Sequence, residues 1–178
     1  EEPMLFLKPP SALIGHGAEI ILPPGAGRVD HEAELAVIIG RRAAHVRRED
    51  ALDYVLGYTC ANDVSARDYQ KKDGQWGRAK GFDTFCPVGP WIETELDPND
   101  AMITCHVNGV LRQMSSTRDM IFSVQKLLLY ITSIMTLLPG DLILTGTPAG
   151  VGLLQPSDQV SVHIAGIGTL VNPVAAAE

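Results

Sequence analysis

Glycine and proline punctuate the whole chain. Seventeen Gly and twelve Pro are scattered through 178 residues, so few stretches run far before a turn residue intervenes. That spacing predicts many short elements joined by turns. The clearest is a hairpin, with strands at 103–107 and 110–113 around Asn108-Gly109. Asn and Gly both tolerate the positive φ that a type I′ turn needs at its two central positions. Further strands are expected at 4–7, 19–22, 32–39, 58–61, 88–93, 142–145, 159–164 and 169–171. Helical spacing is found at 48–56, 65–72 and 123–138. In the last of these, apolar residues recur at 124, 127, 128, 131, 134, 135 and 138 before Pro139-Gly140. Strands outnumber helices, so the class is β-rich α+β, and no break in composition divides residues 1–178 into two domains.

Composition narrows the function. Apolar residues make up 46% and charged residues 20%, which supports a sizeable core and fits neither a disordered chain nor a coiled coil. A net charge of −7 leaves too little surplus Lys and Arg for a general nucleic-acid surface. No apolar run approaches the roughly 18 residues that span a bilayer. The opening Glu1-Glu2-Pro3 lacks a secretory pattern. Cys60, Cys86 and Cys105 are odd in number and show no CxxC spacing, which predicts free, buried thiols in a reducing cytoplasm.

Several residues could carry chemistry. Glu32 and Glu34 are two apart in an expected strand and so share a face. Taken alone, such a pair is more often two solvated acids on an exposed strand. Asp63, in Asn62-Asp63, is equally readable as a turn aspartate. Together the three carboxylates would make a hard-cation site for Mg²⁺ or Mn²⁺, with Ca²⁺ a further candidate. Zinc is disfavoured, because the cysteines are unclustered. Arg67 and Gln70 would share a helix face and could grip an acidic substrate. Lys80 could move a proton or steady an enolate, although a solvated lysine is the commoner case. Gly146-Thr147-Pro148-Ala149-Gly150-Val151-Gly152 matches no nucleotide-binding loop. Thr147 there either meets a small carboxylate or belongs to a structural turn. His16, His45, His106 and His163 read as structural or surface residues.

Five segments in order carry a resemblance. They are Phe6-Leu7-Lys8-Pro9-Pro10, His31-Glu32-Ala33-Glu34-Leu35-Ala36, the run 57–68 with Asn62-Asp63 and Arg67-Asp68, Ala79-Lys80-Gly81-Phe82-Asp83, and 144–152. Over about residues 3–173 the chain resembles the fumarylacetoacetate hydrolase family in its bacterial single-domain form. The resemblance implies a mixed β-roll with a few short helices, usually a homodimer, with a divalent metal at its mouth. It implies Glu32, Glu34 and Asp63 as metal ligands and Lys80 as the buried active-site lysine. Arg67 and Gln70 would lie near the substrate, and Thr147 would bind its carboxylate. Members usually carry a His and a Glu on a lid upstream of the segment at Phe6. Only five residues precede Phe6, so that pair is expected to be missing here. The implied activity is metal-dependent chemistry on a 2-oxo or 2-hydroxy-enoic acid, with an isomerase of the 2-hydroxyhepta-2,4-diene-1,7-dioate type in aromatic catabolism foremost. An acylpyruvate-type C–C hydrolase, an oxaloacetate decarboxylase or tautomerase, and a non-catalytic binding member are the alternatives.

Overall fold

A computed structural model of the protein describes residues 2–177. In chain order the first strands are β1 (Leu13–Ile14), β2 (Ile20–Leu22), β3 (Val29–His31), β4 (Ala33–Ile39), β5 (Val55–Asn62) and β6 (Ser65–Ala66). Helices α1 (Arg67–Asp73) and α2 (Gly77–Lys80) follow, then β7 (Cys86–Glu93), β8 (Met102–Val107) and β9 (Val110–Ser116). Helix α3 (Val124–Ile134) precedes β10 (Leu142–Leu144), β11 (Gly152–Leu153), β12 (Gln159–Ile164) and β13 (Gly168–Ala176).

The strands form three sheets, ordered β1-β7-β5-β4-β10, β11-β3-β6 and β2-β13-β12-β8-β9. Two pairings, β1 with β7 and β13 with β2, are parallel amid antiparallel ones. This is the β-rich α+β class and the mixed β-roll expected. The first and third sheets meet where β13 packs on β7 and β5, β12 on β5, and β8 on β4. Ala33, Leu35, Val37 and Ile39 from one side and Val160, Val162, Ile164 and Leu170 from the other share one apolar core. Alternation along β4 therefore commits Glu34 to the opposite face, yet every residue of β4 is buried.

The Asn-Gly hairpin forms as read, with φ of 53° at Asn108 and 77° at Gly109 and Val107 paired to Val110. Strand β12 has the expected bounds. Other elements differ. Residues 4–7 form no strand, since no neighbour offers a ladder. Phe6 instead packs against Trp76 in a tilted contact, with ring centroids 5.4 Å apart. The expected helix at 48–56 is a 3-10 helix, Arg48–Tyr54, because pairing of Val55 with Ile39 draws the next residues into β5. Ser65 does not start a helix: it pairs with Asp30 in β6, and its hydroxyl donates to the Asp63 carbonyl (2.7 Å). Helix α3 starts at the Ser123 cap but stops at Ile134, a turn before Pro139. The chain leaves it because Leu137 exchanges two 2.9 Å backbone hydrogen bonds with Ala43. Met135 is consequently 37% exposed and not part of the core.

The loop after β10 crosses close to β9. At Gly150, φ is 101°, and a Cβ would run into the Arg112 carbonyl oxygen. Gly150→Ala is therefore expected to lower the unfolding free energy by about 2 kcal/mol or more, combining backbone strain with overpacking. At Gly25, φ is also positive but the space is open, so Gly25→Ala should cost about 1 kcal/mol. Urea midpoints of the two variants test the contrast; equal losses would mean that the Arg112 contact carries nothing.

Candidate active site

The β4–β5 ladder builds the centre of the site. It sets Ala33 against Asn62 and Glu34 against Ala61, so Glu32 and Asp63 flank its end. The Asp63 N–H donates to the Glu32 carbonyl (2.8 Å), and the Glu32 N–H donates to Asn62 Oδ1 (2.9 Å). Glu32 falls in the break between β3 and β4 rather than inside one continuous strand. Even so, one oxygen from each of Glu32, Glu34 and Asp63 lies within 4.8 Å of the other two. Their exposures are 7%, 3% and 1%, so the solvated strand face does not occur.

Basic groups converge on this cluster from three directions. Lys80, at the end of α2 and buried, donates from Nζ to Glu32 Oε2 (2.7 Å) and Asp63 Oδ2 (2.6 Å). The Phe6 ring lies over the same ammonium, 5.0 Å from its centroid. Arg67, at the start of α1, pairs Nη2 with Glu32 Oε1 (2.6 Å) and Nε with Asp30 Oδ2 (2.9 Å). Its Nη1 donates to Gln70 Oε1 (3.0 Å), so Arg67 and Gln70 do share a face. The sequence reading missed Lys8, whose Nζ donates to Asp63 Oδ1 (2.7 Å) and to the Lys80 carbonyl. It also missed Asp30, buried between Arg67 and Arg28. Burial would raise the Asp30 carboxyl, but hydrogen bonds from Arg28 and Arg67 outweigh it and hold the group below its ordinary range.

Glu34 stands apart. Its Oε2 accepts the Gly146 N–H (2.6 Å), and it forms no ion pair with a cationic side chain among the described residues. Burial first, then the charges of Asp63 and Glu32, push its carboxyl well above the ordinary range. An oxygen-donor cluster with one uncompensated carboxylate fits a hard divalent cation, which would supply the missing charge. The thiols do not compete for that role. Burial raises Cys60 and Cys105 to about 12 and Cys86 to about 11, so none is an activated nucleophile at neutral pH.

Thr147 lies beside the cluster but is already engaged. Its hydroxyl donates to the Ala33 carbonyl (2.8 Å) and accepts from Gln113 Nε2 (2.8 Å). The loop of residues 146–150 thus straps Glu34 and Ala33 in place. Gln113 and the buried His31, joined at 2.9 Å, were also missed. Nothing local marks them, because their partners are distant in sequence. Of the histidines read as structural, His16 accepts from the Val171 N–H (3.2 Å), and His163 meets Thr169 (3.0 Å).

Mixed sheets that bury three carboxylates against Lys80, Lys8 and Arg67 have the build of an enzyme centre rather than of a nucleic-acid surface. The chain belongs to the fumarylacetoacetate hydrolase family: the family model described as Fumarylacetoacetate (FAA) hydrolase C-terminal matches residues 1–175. An uncharacterized protein of Methanocaldococcus jannaschii is 53% identical over 98% of this chain and 73% of its own length. A mitochondrial oxaloacetate tautomerase of Bos taurus is 44% identical over 98% of this chain, which spans only 59% of that protein. The crystal structure of a 5-carboxymethyl-2-hydroxymuconate delta-isomerase from Mycobacterium smegmatis superposes with a TM-score of 0.99 at 53% identity. It covers all of this chain and 71% of its own. Maleylpyruvate hydrolase from Sphingobium sp. SYK-6, in complex with manganese(II) and pyruvate, superposes at 0.90 and 40% identity, covering 97% of this chain and 64% of its own. Isomerase, hydrolase and tautomerase names thus all occur among its relatives. No helix among the described residues is long and apolar enough to cross a membrane.

Proposed function

We propose that the protein is a divalent-cation-dependent enzyme acting on a small 2-oxo acid or its 2-hydroxy-enoic tautomer. Its foremost reaction is isomerisation of a 2-hydroxyhepta-2,4-diene-1,7-dioate type of diacid. The carrying observation is Lys80, buried and 2.7 and 2.6 Å from Glu32 and Asp63, with the uncompensated Glu34 beside them. Glu32, Glu34 and Asp63 would hold Mg²⁺ or Mn²⁺, with Ca²⁺ a further candidate. When bound, the ion supplies positive charge next to a developing enolate.

The chain's own groups do the rest. Lys80 commits two of its three N–H bonds to carboxylates, and the third is available to an enolate oxygen or to a proton in transit. Arg67 has two N–H bonds beyond those given to Asp30, Glu32 and Gln70 and can orient an acidic end of the substrate. Gln70 offers its amide nitrogen for the same purpose. Thr147, its hydroxyl spent on Ala33, would act on the carboxylate chiefly by fixing the loop that faces it.

Two further readings have specific support. C–C hydrolysis of an acylpyruvate-type substrate is supported by the likeness to maleylpyruvate hydrolase, and oxaloacetate tautomerisation by the bovine relative. The proposal includes a homodimer in the cytoplasm, and the apolar side chains of Ile121 and Met114, 84% and 63% exposed in one copy, suit an assembled state. The test is turnover of the three substrate types with Mg²⁺ or Mn²⁺ and after chelation. Cation-dependent isomerisation of the dienoate faster than the other two is expected. Turnover of any of them that survives complete removal of metal would overturn the proposal.

A further inference from the structure

A polar side chain with no charge lies at the heart of the core. Gln113 is 1% exposed, although its neighbours on β9, Leu111, Arg112 and Met114, are exposed or nearly so. Burying a carboxamide is costly unless every donor and acceptor is matched. Here all four are. Oε1 accepts from the Ala33 N–H (3.1 Å) and from His31 Nδ1 (2.9 Å). Nε2 donates to Thr147 Oγ1 (2.8 Å) and to the Pro148 carbonyl (2.9 Å). The arrangement also fixes the amide's sense. Turned over, it would set NH₂ against the Ala33 N–H and oxygen against the Pro148 carbonyl. With Oε1 facing His31, the imidazole carries its proton on Nδ1.

What the amide grips gives the arrangement its meaning. Ala33 is the residue between Glu32 and Glu34. Its N–H is held by Gln113 and its C=O by Thr147 (2.8 Å), while Gln113 and Thr147 hold each other. The residue before Thr147, Gly146, supplies the N–H on Glu34 Oε2 (2.6 Å). One closed set of hydrogen bonds thus fixes the peptide on which both glutamates hang and the loop that orients one of them.

We propose that Gln113, acting through Thr147, is a positioning residue that sets the spacing of Glu32 and Glu34 for a divalent cation. The inference rests on the cation site proposed above. Such supports around a metal's ligands govern affinity without touching the ion, and their loss typically weakens binding about 10–100-fold.

The test is a calorimetric titration with Mn²⁺ alone, without substrate. Gln113→Met keeps the length and removes all four hydrogen bonds; it is expected to weaken Mn²⁺ binding about 10-fold or more. Val124→Ala, at the buried first residue of α3, is the control for plain destabilisation and should bind Mn²⁺ as the parent does. Thr147→Val, which loses the hydroxyl, should weaken binding, while Thr147→Ser, which keeps it, should restore parental affinity; this pair also serves if Gln113→Met does not fold. Parental affinity in both Gln113→Met and Thr147→Val would overturn the inference. So would equal weakening in Val124→Ala, which would reduce the effect to stability. If the parent itself binds no Mn²⁺, the cation site fails first, a result distinct from either.

Discussion

Lys80→Met is expected to reduce turnover by about 100-fold or more, while leaving a folded protein that still takes up a cation. The variant keeps the stem of the side chain and removes only the ammonium between Glu32 Oε2 and Asp63 Oδ2. Loss of a positioned acid–base group costs about 10²–10⁴ in rate. Removing one partner of a buried ion pair also leaves the others uncompensated, at about 3–5 kcal/mol. Lys8 on Asp63 and Arg67 on Glu32 remain, which places the expected destabilisation towards the lower end. Added Mg²⁺ or Mn²⁺ should recover much of the stability and little of the turnover. Steady-state kinetics and thermal melts with and without cation separate the two effects. Parental turnover in Lys80→Met would remove the lysine from the chemistry altogether.

Glu34→Gln is expected to move stability in opposite directions according to whether a cation is present. Without one, the variant should melt higher than the parent. Gln keeps the acceptor for the Gly146 N–H and replaces a carboxyl that burial and its acidic neighbours make costly to ionise; a gain of about 1 kcal/mol corresponds to 2–4 °C in a chain of this size. With cation at a hundredfold excess over Kd, the parent gains about 2.7 kcal/mol by mass action. The variant should gain little, having lost a ligand. Differential scanning calorimetry across a Mn²⁺ series reads both signs at once. A cation-induced rise as large in the variant as in the parent would show that Glu34 does not hold the ion.

Much of the frame could be read locally. Asn108-Gly109 can hardly be anything but a hairpin turn, and the alternation of residues 159–164 gave β12 its bounds. Local patterns failed where a distant strand claimed the residues. Val55 lies in the expected helix at 48–56 but pairs with Ile39 in β5, and Leu137 lies in the expected helix at 123–138 but bridges to Ala43. Residues 4–7 have strand composition but no strand beside them. In the site, Glu32, Glu34, Asp63 and Lys80 were visible as residue types carrying a family resemblance, and the β4–β5 register explains why the acids meet. Lys8 stood in one of the segments carrying that resemblance but with no role attached, and Asp30 and Gln113 gave no signal at all. Each matters through a partner far along the chain, as Gln113 does through Ala33 and Thr147, and one-dimensional spacing carries no trace of that.

The parallel pairing of β2 with β13 has a consequence for biogenesis. Ile20 lies beside Val174, and β4 takes its outer neighbour, β10, from residues 142–144. A ribosome delivers the two glutamates more than a hundred residues before the segments that close around them. Until then β4 has an open edge, the sort of surface that invites pairing with another nascent chain. With so many contacts of long sequence separation, folding should be slow for a chain of this size. Any call on chaperones would then be set by topology, before any chemistry at the centre begins.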